Sequence, residues 1–176
     1  MEASKNETKG EIRNRVDESG LLQLDLDRIS EIRCVELDFT KWLWKGLVVK
    51  ERDFRKNLEE LDVDIYKGLG VGLCCTDEAI VPDWAWMLIA SKLSVAEFVV
   101  VGGIKSAELE ALKRAIENLP IDDYLDRKVV VRGCANSGGA ETLVQIQQKL
   151  QPVVSSLMFG ESCSTVPVYK KAKRKE

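Results

Sequence analysis

Three short apolar runs along the chain share one pattern. Gly70-Val71-Gly72-Leu73-Cys74-Cys75, Phe98-Val99-Val100-Val101-Gly102-Gly103 and Val129-Val130-Val131-Arg132-Gly133-Cys134 each end in glycine or cysteine. Each is followed by apolar positions at helical spacing, which predicts parallel strands of one sheet joined by helices. The strands are expected over about 69–75, 97–102 and 128–133. Trp84, Met87, Leu88 and Leu93 mark the buried face of the first connecting helix, with Pro82 in its first turn. Leu109, Leu112, Ile116 and Leu119 mark the second, which Pro120 ends. Leu143, Ile146, Leu150, Val153 and Leu157 read as one last helix, kinked at Pro152 and capped at Gly160. Upstream, Leu22, Leu24 and Leu26 alternate with polar residues, and Ile32 to Phe39 is a second short apolar run. These two predict an antiparallel pair at the sheet's edge. Phe54, Leu58 and Leu61 predict a helix with Asp53 as N-cap. The expected fold is α/β: a three-layer, mostly parallel sheet with helices on both faces and an antiparallel N-terminal edge pair. Residues 1–12 read as a disordered tail, 13–169 as a single α/β domain and 170–176 as a solvated basic tail.

Composition narrows the function classes. With 176 residues and 45% hydrophobic content, the chain can bury a core without a metal or disulfide to hold it. A net charge of −3 argues against broad nucleic-acid affinity. No apolar run is long enough to span a membrane, and the polar N-terminus lacks the apolar stretch of a secretory signal. A soluble cytoplasmic protein with reduced thiols is therefore expected. The chain contains no histidine. That excludes Ser-His-Asp and Cys-His catalysis and every His-ligated metal site.

The remaining candidate chemistry is sulfur. Of the five cysteines, Cys75, Cys134 and Cys163 each stand beside a predicted turn. Cys34 and Cys74 read as core. There is no Cys-x-x-Cys, and no arginine stands six positions after Cys74, Cys75 or Cys134, so zinc-ribbon, thioredoxin-type and phosphatase-type motifs are absent. Three thiolates with Glu78 or Asp77 as fourth ligand would suit zinc, iron or an iron–sulfur cluster. Convergence depends on strand order. If the first and third strands are neighbours, Cys75 and Cys134 meet; if the order is sequential, they lie two strand spacings apart. Two other readings stay open: small buried hydrophobes that happen to end strands, and a thiol enzyme of sulfur transfer or redox with Cys134 as nucleophile. Gly102-Gly103 and Gly138-Gly139 could present N–H groups to an anion, though tight turns explain them as well. Trp42 and Trp44, and Trp84 and Trp86, are paired two residues apart, which predicts one exposed ring in each pair. Exposed tryptophans would suit a homodimer interface.

Trp44-Lys-Gly46-Leu-Val-Val-Lys50-Glu51-Arg-Asp53-Phe54-Arg55, Cys75-Thr-Asp-Glu78-Ala-Ile-Val-Pro82-x-Trp84-Ala85, Gly133-Cys134 and Cys163-Ser-Thr-Val-Pro-Val-Tyr-Lys170 resemble an uncharacterised bacterial family, domain of unknown function 2480. The resemblance runs from about Ile12 to Lys171. It implies that Cys75, Cys134 and Cys163 are the family's cysteines and that Cys34 and Cys74 are additional. Glu78 stands where the family usually has Asp, a carboxylate either way. The resemblance also implies a link with iron–sulfur assembly.

Overall fold

The structure, a computed structural model, describes residues 20–76, 78–133, 138–161 and 164–172. The chain divides into two compact units. One comprises Asp25–Leu119 and Gly133–Gln148; the other comprises Met1–Leu24, Pro120–Arg132 and Lys149–Glu176. The strands are β1 (Leu21–Asp25), β2 (Cys34–Asp38), β3 (Gly70–Cys74), β4 (Phe98–Val101), β5 (Lys128–Arg132), β6 (Ser156–Glu161) and β7 (Ser164–Lys170). The described α-helices are α1 (Glu51–Glu59), α2 (Asp83–Lys92), α3 (Gly103–Glu117) and α4 (Gly139–Leu150).

The first unit holds a three-stranded sheet in the order β2-β3-β4, parallel throughout. Side chains alternate across it. Val35, Leu37, Val71, Leu73 and Val99 face a core built with Phe54, Leu58, Ala85, Ile89 and Leu93, so α1 and α2 cover that face. Phe98 and Val100 face the other way, against Ala107 and Ala111 of α3. Helix α3 lies over all three strands. It comes this close because β3 carries glycine on that face. A Cβ at Gly72 would stand 2.0 Å from the carbonyl oxygen of Gly103, and one at Gly70 would strike the ring of Phe98. The result is the predicted three-layer arrangement, with helices on both faces of a parallel sheet.

The second unit holds a four-stranded sheet in the order β1-β5-β6-β7. β5 and β6 are parallel, while β6 and β7 form an antiparallel hairpin with an irregularity at Leu157/Met158. Val129, Val130 and Val131 are all buried, as befits a strand with neighbours on both sides.

Several expectations need correction. The third predicted strand, β5, belongs to the four-stranded sheet and not to that of β3 and β4. β1 and β2 are not an antiparallel pair: they lie in different sheets, and β2 runs parallel to β3. The antiparallel edge pair is C-terminal. The last helix stops at Leu150, before Pro152, whose ring would clash with the preceding turn if the helix continued. Leu157 and Gly160 then fall in β6. The leucine belongs to strand alternation that happens to continue the helical spacing. Asp53 lies in the first turn of α1, and Lys50 takes the N-cap position.

Candidate thiol site

Cys75 follows β3 at its carboxyl end, the edge where parallel α/β sheets bind ligands. It packs against the α1/α2 core, opposite to Cys74. Its backbone is held on both sides. The carbonyl of Cys74 accepts from the N–H of Phe39 at 3.1 Å. The N–H of Thr76 donates to Oγ1 of Thr40 at 3.1 Å. Thr40 is itself fixed, since its hydroxyl and its N–H both donate to Asp38, at 2.5 and 2.8 Å. Those two bonds hold the Asp38 carboxyl below its usual pKa. The Cys75 segment is thereby tied to the end of the neighbouring strand.

A cleft of about 420 Å³ opens here. Cys74, Cys75, Thr76, Trp86, Val101 and Gly102 line it. Trp86 also packs edge-on to Phe39, with ring centroids 5.0 Å apart. Phe39 in turn meets Trp42 and Phe54, so an aromatic cluster backs the cleft.

The other two described cysteines have raised pKa values. Burial, followed by a hydrogen bond to Glu36 and the negative charges of Glu36 and Asp38, pushes the Cys74 thiol up to about 11. Burial, followed by the charge of Glu108, raises Cys34, whose Sγ contacts the carbonyl of Ile32 at 3.9 Å. Glu36 has a second task. Its carboxylate accepts the N–H of Ile104 at 2.9 Å, at the start of α3. Gly102 and Gly103, at φ 115° and 71°, turn the chain into that helix. The Gly102-Gly103 turn thus receives a carboxylate from its own protein.

Glu78 is exposed, three residues past Cys75. Cys134, Cys163 and Asp77 lie outside the described residues. Among the described residues, no group of three or more Cys, Asp or Glu is arranged to hold a metal. The segments leading to the two remaining thiols are nonetheless tied together. Arg132, two residues before Cys134, ends β5, and Glu161, two residues before Cys163, ends β6. Their side chains form an ion pair at 2.7 Å. Arg132 also donates to Gln23 on β1 at 3.1 Å, and its buried Nε has no hydrogen-bond partner among the described residues. Sequence reasoning missed Thr40, Glu36 and Arg132. Arg132 carried a signal, as the one charge that interrupts an apolar run at the strand's carboxyl end.

The family model described as "Protein of unknown function (DUF2480)" matches residues 10–171. The chain belongs to this DUF2480 family. No curated protein and no solved structure matches the chain. In this DUF2480 chain each tryptophan pair splits as expected: Trp42 and Trp86 are half-buried, while Trp44 and Trp84 are exposed. No described helix is long and apolar enough to cross a membrane.

Proposed function

We propose that the protein binds a soft metal through thiolates, with Cys75, Cys134 and Cys163 as ligands and Glu78 as the fourth. The metal is zinc, iron or an iron–sulfur cluster, in keeping with a role in iron–sulfur assembly. Thiolate ligands select these metals, and a chain without histidine has no imidazole to offer in their place.

The observation that carries the reading is the Arg132–Glu161 pair between two parallel neighbours, β5 and β6. Cys134 and Cys163 each follow one of these strand ends by two residues along the chain. The two strand ends that precede these cysteines in the sequence are therefore neighbours in one sheet. Support for Cys75 is its fixed backbone and its place on an open cleft.

The test is metal and acid-labile sulfide analysis of the protein purified without oxygen. Wild type and Cys74→Ser should both carry stoichiometric metal, and Cys75→Ser, Cys134→Ser and Cys163→Ser should each lose it. Metal-free wild type, with a triple Cys→Ser variant indistinguishable from it, discards the reading.

A further inference from the structure

A second surface in the first unit, independent of the thiols, lies on the connection from β2 to α1. Trp44, Leu47 and Val48 are 47%, 40% and 40% exposed, and Ile80 is 73% exposed. They form one patch. Trp44 and Val48 pair as an antiparallel bridge, Val48 and Ile80 as a parallel one, and the N–H of Ile80 donates to the carbonyl of Leu47 at 2.8 Å. Hydrogen bonds thus fix in place side chains that water does not favour.

The 39–56 connection is mainly basic, while Glu78 and Asp83 flank Ile80 in the sequence. Residues 39–56 carry six Lys or Arg against two Asp or Glu, in a chain of net charge −3. The ammonium groups of Lys45 and Lys50 lie over the Trp44 ring, 4.6 and 4.3 Å from its centroid. The chain's net charge of −3 argues against nucleic acid as the partner of this patch. A two-fold dimer through this patch would set Lys45 and Lys50 against their own copies, a like-charge arrangement that costs affinity.

We propose that this patch docks an acidic segment of a partner protein, apolar side chains resting on Trp44 and Ile80 and carboxylates meeting Lys45 and Lys50. Both components are needed: the apolar contact supplies affinity, and the lysines supply steering and choice of partner.

The experiment uses the full chain and a short fluorescently labelled peptide that alternates leucine and aspartate, with binding read by anisotropy. The expected result is binding that weakens as salt rises. Trp44→Ala should weaken it by roughly tenfold or more. Lys45→Glu with Lys50→Glu should abolish it, and a peptide with lysine in place of aspartate should not bind. Circular dichroism checks that the variants fold; should Trp44→Ala fail that check, Ile80→Ser probes the same patch. The proposal is overturned if the acidic peptide does not bind or binds the variants equally well. It is also overturned if the protein alone sediments as a dimer that Trp44→Ala dissociates, or if phosphatidylserine vesicles bind where the peptide does not.

Discussion

Two adjacent cysteines at the end of one strand have different fates, because successive strand residues face opposite sides of the sheet. Cys74 turns toward α3 and meets Glu36, and its pKa rises to about 11. The consequence for stability has a definite sign. A thiol whose folded pKa is raised favours the folded state fully below its ordinary 9.0, and that contribution is lost as pH climbs through about 11. In urea titrations, wild type should therefore lose stability over this range. Cys74→Ser, which keeps a hydroxyl for Glu36 but no thiol to titrate, should lose less; identical slopes would contradict the assignment. Thr40 offers a second check at this scale. Thr40→Val removes the bond to Thr76 and one of the two to Asp38, so it should cost on the order of 1 kcal/mol in unfolding free energy. It should also raise the pKa of Asp38, measurable by NMR titration.

At the scale of elements, the packing of α3 on β3 rests on the absence of a side chain. Gly72→Ala would drive a methyl into the Gly103 carbonyl, backbone that cannot rotate away. The expected cost is about 1–3 kcal/mol, read by denaturant unfolding. An unchanged midpoint would mean the helix does not lie where the structure has it. The sequence made β3, β4 and β5 legible, because apolar runs of strand length ending in glycine have few other readings. It made α3 legible through its leucines, yet the residues that touch the sheet include Ala107 and Ala111, too small to stand out in a hydrophobic pattern. The hairpin of β6 and β7 was hidden because Val153 and Leu157 extend the helical spacing past Leu150. Pro152 was the better guide. Its missing N–H and bulky ring end a helix more surely than periodicity extends one.

At the scale of the whole molecule, the pairing of β5 with β6 could not be read locally, because strand neighbours are set by long-range packing. The sequence showed which cysteines stand beside turns. It did not show that Arg132 and Glu161 join the two strand ends leading to Cys134 and Cys163. If those thiols and Cys75 share a metal, binding is linked to folding. Zinc at a hundredfold excess over its dissociation constant should then stabilise the reduced wild type by about 2.7 kcal/mol. It should do nothing for the Cys75→Ser variant, and equal stabilisation of both would point to adventitious binding.

The most direct measurement is cobalt(II) titration of the reduced protein, followed through the thiolate-to-cobalt charge-transfer band. The band should saturate at one equivalent in wild type and in Cys74→Ser, and should fall or vanish in Cys75→Ser, Cys134→Ser and Cys163→Ser. A wild-type protein that develops no such band, or a band indifferent to Cys75, would contradict the account.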